Sequence, residues 1–256
     1  MSNILNYKTY GDAKNTALLL VHAMGADLRF WEECVPQWEK KYFCIAPDLR
    51  AAGQSPRPDK PVEIPGHVAD LEELRKSLGA PKVVVIGCAM GALVAAAYAA
   101  RYPEATLALI MTNPGVQNAD AGKEMLRKRV ALLRAEGIKA LPMETIKRAF
   151  LNMPEDRRWQ THLERFTSQD SQTYATQVEG FINADISGDL PKIKCPVLVV
   201  PGEHDVMMPA DGAQRVKAGV PHAEVQMMTD VAHFMPFQRP DKFAPLAADY
   251  IARVVH

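Results

Sequence analysis

Strands alternating with helices along most of the 256 residues predict an α/β fold, a mostly parallel central sheet with helices on both faces. Three observations carry that prediction. Short apolar runs of strand length recur between longer helical patterns. The run Val83-Val84-Val85-Ile86 leads through Gly87-Cys88-Ala89-Met90-Gly91 directly into the Ala-rich stretch Ala92 to Ala100. The alternation then lapses between about residues 118 and 187, which predicts a helical cap inserted into the sheet domain.

Taken in order, Ile4 to Tyr10 is expected as an antiparallel edge strand. Ala17 to Val21, Phe43 to Ala46, Lys82 to Ile86, Ala105 to Met111 and Val197 to Val200 are apolar runs bounded by polar or turn residues, read as buried strands. Val225 to Met228 is a weaker sixth. Leu28 to Trp38 reads as one helix. Val68, Leu71, Leu74 and Leu78 fall near helical spacing, with Gly79 as the stop after them. Met90 to Tyr102 is apolar nearly all round, the pattern of a buried helix, and Pro103 follows its end. After Pro240, Phe243, Leu246, Tyr250, Ile251 and Val254 make the stripe of a last helix. The expected division is a core of residues 1–117 and 188–256 with a cap of residues 118–187. Leu132, Leu133, Ile138, Leu141, Ile146 and Phe150 recur within that cap among many arginines and lysines.

Bulk composition removes several classes of function. Thirty basic side chains balance thirty acidic ones, so no excess positive field exists to hold a nucleic acid. Hydrophobic residues make up 48%, enough for a sizeable core. Cys34, Cys44, Cys88 and Cys195 show no metal-ligand spacing. The sequence shows no charged-then-apolar leader and no apolar run of membrane-span length. The expectation is a soluble cytoplasmic protein with reduced thiols, acting on a small molecule without a cofactor.

The frame Gly87-x-Ala89-x-Gly91 has the spacing of a nucleophile elbow, in which a serine stands on a sharp strand-to-helix turn. The flanking glycines are needed because the turn crowds the backbone. Here the tip is Ala89, which has no oxygen to attack with. Cys88 does not replace it, since a tip at 88 would need glycines where Ile86 and Met90 stand. Nucleophilic catalysis also needs a base, a carboxylate that orients it, and amides aimed at the developing oxyanion. The acid candidate is Asp205, just past the strand Val197 to Val200. The base candidate is His233, in the loop before the last helix. The oxyanion candidates are the backbone amides of Met24, after the first buried strand, and Met90, after the elbow tip. His22 reads as a loop-ordering residue. Trp31, Phe234 and Trp159 are candidate pocket walls. Contiguous Glu203-His204-Asp205 is a poor metal site, because neighbouring loop residues rarely converge on one ion.

These residues resemble the α/β-hydrolase superfamily over nearly the whole chain, in the order nucleophile position, acid, histidine. Asp48-Leu49-Arg50-Ala51-Ala52-Gly53-Gln54-Ser55 resembles the family's D-x-R-G-x-G-x-S loop, and Pro191 to Pro196 resembles the approach to its acid strand. Val21 to Trp31 is similar to the oxyanion loop and following helix of 3-oxoadipate enol-lactonases. Cap-bearing esterases, C–C bond hydrolases and haloperoxidase-like members share the skeleton. The resemblance implies an α/β-hydrolase fold and an acyl-enzyme hydrolysis of an ester, lactone or related carbonyl compound. Four departures matter. Ala89 replaces the serine, Ala23 replaces the glycine usual after His22, Ala51 and Ala52 replace the loop glycine and its neighbour, and uncharged Asn113 stands where some members put their acid.

Three readings follow. In the first, a serine at position 89 has been changed to alanine, leaving an inactive, substrate-trapping hydrolase. A drifted protein would have had no reason to keep Asp205 and His233 at useful spacing. In the second, the chain is a natural ligand-binding protein or sensor on a hydrolase fold. In the third, it is a cofactor-free enzyme, an oxygenase or lyase, using His233 and Asp205 as a general base alone.

Overall fold

The computed structural model describes residues 5–255. Seven strands form one sheet: β1 (Tyr7–Tyr10), β2 (Ala17–Val21), β3 (Phe43–Pro47), β4 (Val83–Cys88), β5 (Thr106–Thr112), β6 (Val197–Val200) and β7 (Glu224–Val225). Their order is β1-β3-β2-β4-β5-β6-β7. Only β1 runs antiparallel, against β3. The chain steps outward from β2 to β3 and then crosses to β4 on the other side of β2. That reversal opens a crevice at the carboxyl ends of β2 and β4, where open α/β sheets bind ligands.

Period-two alternation fills both faces of the sheet. Leu18, Leu20, Val84, Ile86, Ala108 and Ile110 enter one apolar cluster. Leu19, Val21, Val83, Val85, Leu109 and Met111 enter the other. Strands buried on both faces lose the polar alternation of half-exposed ones, which is why these segments read as unbroken apolar runs.

Ten α-helices cover the sheet and its upper edge. They are α1 (Val35–Trp38), α2 (Ile64–Ser77), α3 (Met90–Arg101), α4 (Asp120–Glu136), α5 (Met143–Lys147), α6 (Arg157–Thr167), α7 (Ser171–Gly180), α8 (Asp211–Gly219), α9 (Met235–Gln238) and α10 (Pro240–Val254). Trp38 of α1 packs with Phe243 and Tyr250 of α10 on one face. Leu71 of α2, Ala95 and Ala99 of α3 and Val216 of α8 pack on the other. α3 is buried from Met90 to Ala100, as its all-apolar sequence requires. Its Tyr98 hydroxyl donates to Glu72 Oε2 at 2.7 Å, and Glu72 also takes two hydrogen bonds from Arg75 at 2.8 Å, tying α3 to α2. Between β5 and β6, α4 to α7 contribute no strand to the sheet. An antiparallel bridge between Gln117 and Asp185 brings the two ends of that segment together.

Three boundaries differ from expectation. Leu28 to Trp38 is not one helix but a 3₁₀ turn at Leu28–Trp31 followed by α1. Pro36 lies inside the expected helix and has no N–H to give the preceding turn, so the helix restarts around it. β7 stops at Val225, and Met228 keeps only an isolated bridge to Gly202. The edge strand begins at Tyr7, and Ile4 lies outside the described residues.

Candidate active site

The elbow is built by close approach of backbone. A Cβ on Gly87 would run into the carbonyl of Gly91, and one on Gly91 would run into the carbonyls of Val21 and His22 at the end of β2. Side chains are therefore excluded on both sides of the tip. Ala89 sits at φ 53° and ψ −116°, a conformation L-residues avoid, and its N–H is anchored by Thr112 O at 2.9 Å. Cys88 points into the apolar face with Cys34 and Cys44. Its Sγ reaches only the His233 carbonyl, at 3.5 Å, and burial pushes its thiol far above the usual range. The tip of the turn is position 89.

Three loops from three strand ends meet there. Asp205, after β6, receives Met207 N at 2.8 Å and Met208 N at 3.0 Å on Oδ1. Its Oδ2 receives Asn113 Nδ2 at 2.7 Å and His233 Nδ1 at 2.9 Å. Burial alone would raise this carboxyl's pKa. The His233 ring, the Met208 amide and Asn113 outweigh it and hold the group below its ordinary value. A carboxylate facing Nδ1 places the imidazole proton on Nδ1 and leaves Nε2 as the basic nitrogen. His233 and Ala89 line the same cavity.

Asn113 is the member that sequence reasoning undervalued. It ends β5 at φ 50°, and its amide donates both to Asp205 and to Ala232 O at 3.1 Å. It joins the β5 end, the acid and the histidine loop. A neutral amide can do this where a second carboxylate would repel Asp205, so Asn113 supports the acid instead of substituting for it.

The loop after β2 is held from three sides. His22 accepts Leu49 N on Nε2 at 3.0 Å and meets Ala23 O through Nδ1 at 2.8 Å, so it is a strut, as expected. Gly25, at φ +74°, fits where a Cβ would strike Phe166. Its N–H donates to Gln177 Oε1 at 3.0 Å, and its carbonyl accepts from Gln169 Nε2 at 2.9 Å. Both glutamines come from the helical segment, a tie the sequence did not announce. Ala23 is fully buried with no positive φ, so the alanine there is accommodated without strain. Among the described residues, neither Met24 N nor Met90 N makes a hydrogen bond within the protein. Met90 is the first residue of α3, where a helix leaves its amides unused.

The loop after β3 turns through a strained residue: Ala51 takes φ 59°, a conformation that favours glycine. Asp48 compensates by accepting from Leu28 N at 2.6 Å, Gln54 N at 2.8 Å and Asn6 Nδ2 at 2.7 Å.

A cavity of about 280 Å³ opens between the sheet edge and the helices α4 to α7. Met24, Ala89, Met90, His233 and Phe234 line its floor. Two expected walls are corrected. Trp31 is 0% exposed and packs against Trp38 and Phe243, away from the cavity. Trp159 packs behind Phe150 and His162, and it is His162 that reaches the cavity. Both tryptophans followed the apolar stripe of their own segment into the core.

Among the described residues, one group of potential metal ligands comes together: Glu203, His204 and Asp230, with ligand atoms within 4.8 Å of one another. Lys242 Nζ lies 2.9 Å from Asp230 Oδ2, and Glu203 accepts Asp230 N at 3.1 Å, so both carboxylates of this surface cluster already have partners within the protein. Asp205 takes no part in it. No helix is long and apolar enough to cross a membrane among the described residues.

Residues 16–135 match the family model of the alpha/beta hydrolase fold. A 3-oxoadipate enol-lactonase of Acinetobacter baylyi is 26% identical over 244 residues, spanning 93% of this chain and 90% of the relative. A thermophilic esterase from Thermogutta terrifontis superposes with a TM-score of 0.89 at 25% identity, covering 98% of this chain and 94% of the esterase. The enol-lactonase from Burkholderia xenovorans LB400 superposes with a TM-score of 0.88 at 24% identity, covering 97% and 96%. By sheet order and these matches, the chain has the α/β-hydrolase fold.

Proposed function

We propose that the cavity is the substrate site of a cap-bearing hydrolase for a small ester or lactone, with position 89 as the nucleophile position, His233 as base and Asp205 as its orienting acid. The observation that carries this reading is the hydrogen-bonded chain Asn113–Asp205–His233, which ends on the cavity that Ala89 also lines. A site released from catalysis would have no need to keep that chain buried, nor to hold an alanine at φ 53°.

With serine at position 89, His233 Nε2 takes the hydroxyl proton as Oγ attacks the substrate carbonyl. The Met24 and Met90 amides receive the oxyanion. The imidazolium returns its proton to the leaving alkoxide, and the acyl group stays on Oγ. Water, deprotonated by His233, then releases the acid and restores the hydroxyl. Residues 118–187 act as the cap that walls the cavity from solvent.

With alanine at position 89 there is no Oγ, so the chain binds substrate and forms no acyl-enzyme. Removing the serine from a comparable serine enzyme costs on the order of 10⁶ in turnover. The test is Ala89→Ser, assayed with p-nitrophenyl esters and lactones beside the alanine protein and the Ala89→Ser/His233→Ala double variant. Turnover that appears with the serine and disappears with His233 supports the reading. A serine variant that folds, binds ligand and hydrolyses none of these compounds overturns it.

A further inference from the structure

Helix α6 buries Trp159, His162 and Phe166, which follow the three- and four-residue spacing of one helix face. Two of these are aromatic rings suited to a core, and the third is an imidazole. The helix is fixed in place. Asp156 caps it by accepting Arg158 N at 2.9 Å and Trp159 N at 3.3 Å. Arg157 and Arg158 meet Glu33 at 2.5 and 2.8 Å, and Arg165 meets Glu32 at 2.5 Å, tying the helix to the segment that follows the first 3₁₀ turn. His162 is 9% exposed. Its ring centroid lies 5.0 Å from those of Phe150 and Phe234 and 5.8 Å from that of Phe166, so it sits in a cage of phenyl rings.

A histidine in such a place is ordinarily satisfied by the protein. His22, His222 and His233 each have a ring nitrogen within 3.0 Å of a partner. His67 has its Nδ1 sealed in the core without one, and its ring stacks on Phe181. His162 follows neither pattern. Among the described residues, neither of its ring nitrogens has a hydrogen-bond partner within the protein, and the ring lines the cavity. Burial, with the charges of Arg165 and His233 added to it, takes its pKa down to about 3. At neutral pH the ring therefore offers one N–H and one lone pair, and no charge. For packing alone, phenylalanine would fill the position without the cost of desolvating two nitrogens. Phe234 touches both imidazoles, His162 at 5.0 Å and His233 at 5.1 Å, so one small ligand in the cavity can meet both.

We propose that His162 is a substrate-binding residue, its neutral ring hydrogen-bonded to a hydroxyl group on an otherwise apolar, uncharged ester or lactone whose reactive carbonyl lies at position 89. This rests on the hydrolase reading for the carbonyl end only. The hydroxyl end stands on the unpartnered imidazole and on the Phe166 and Phe234 walls beside it, which suit an apolar or aromatic group. A hydroxyl both donates and accepts, so it fits either tautomer of the ring. A ligand without that oxygen leaves the imidazole desolvated and unpaired, and this penalty is the source of the selectivity.

The chain as it stands allows a binding test without turnover. Calorimetric titration with methyl benzoate and with its meta- and para-hydroxy derivatives, at a mildly acidic pH where the phenols are neutral, compares esters that differ by one oxygen. One neutral hydrogen bond predicts that the better-fitting hydroxy ester binds about fivefold more tightly than methyl benzoate. It should also shift the His162 ring nitrogens in long-range ¹H–¹⁵N spectra by more than methyl benzoate does. His162→Phe keeps a ring and loses the nitrogens. It should abolish the preference, retain methyl benzoate binding and melt no lower than the parent, while His162→Gln keeps part of the preference. Equal binding of all three esters, a preference that survives His162→Phe, or no binding of any of them at millimolar concentration overturns the assignment. The ring-nitrogen shift is read on the unaltered chain, so the test does not depend on a variant folding. Ester hydrolysis by the Ala89→Ser protein with no preference traceable to His162 leaves the hydrolase and removes the hydroxyl site. A preference that depends on His162, without any turnover from Ala89→Ser, does the reverse.

Discussion

The alanine at the elbow tip stores strain that a paired substitution can measure. Ala89 and Ala96 are both buried alanines, 2% and 0% exposed, but Ala89 sits at φ 53° while Ala96 lies in the middle of α3. Replacing either with glycine removes one buried methyl and frees the unfolded backbone, costs that apply to both sites. Only at position 89 does glycine also relieve a backbone conformation that costs an L-residue on the order of 1–3 kcal/mol. The two glycine variants are therefore expected to differ by that amount, with Ala89→Gly the more stable. For a protein of this size the difference corresponds to about 2 to 12 °C in melting temperature. Differential scanning calorimetry on the two variants and the parent reads it directly. Equal losses at the two positions would mean that the elbow is relaxed in the alanine protein, and the argument from retained strain would fail.

Other consequences follow from the same contacts. Burial would raise the Glu72 carboxyl, but the hydrogen bonds from Arg75, Tyr98 and Lys76 take it down to about 2. A depressed carboxyl stabilises the fold above its unfolded pKa, so this contribution is intact above about pH 4.5 and is lost as pH falls toward 2. Tyr98→Phe should shrink that acid-sensitive contribution, seen as a shallower loss of urea midpoint between neutral and acid pH. Gln177→Leu leaves the Gly25 amide without its acceptor, and in the Ala89→Ser background kcat should fall more than KM rises, by up to about 10²–10³ if the Met24 amide is displaced. Asn113→Ala should loosen the Asp205 carboxylate and move the acid limb of the pH–rate profile of the Ala89→Ser protein. An unchanged profile would reduce Asn113 to a purely structural link.

The inner strands β2 to β6 were legible because they are buried on both faces and so write apolar runs into the sequence. The elbow was legible because glycine is the only residue that fits at 87 and 91, and those positions bracket the tip regardless of what occupies it. Asp205 and His233 were found from their place after particular strands. What stayed hidden depends on contacts between segments far apart in the chain. Asn113 looks inert until the fold sets its amide against a carboxylate 92 residues away. Gln177 reaches Gly25, in the loop after β2, across 152 residues. Trp31 and Trp159 have the character of pocket walls, but their stripes turn them into the core, while His162 on the neighbouring turn takes the cavity.

The central claim is that position 89 holds the nucleophile's place beneath a working base and oxyanion site. Rapid quench of the Ala89→Ser protein with a p-nitrophenyl ester, followed by intact-mass and peptide mass spectrometry, tests it most directly. The account predicts one acyl group per chain, on the peptide that carries position 89, and none on the alanine protein. Its accumulation should be abolished by His233→Ala. A folded Ala89→Ser protein that binds the ester and never carries the acyl group, or that carries it on another residue, would contradict the account.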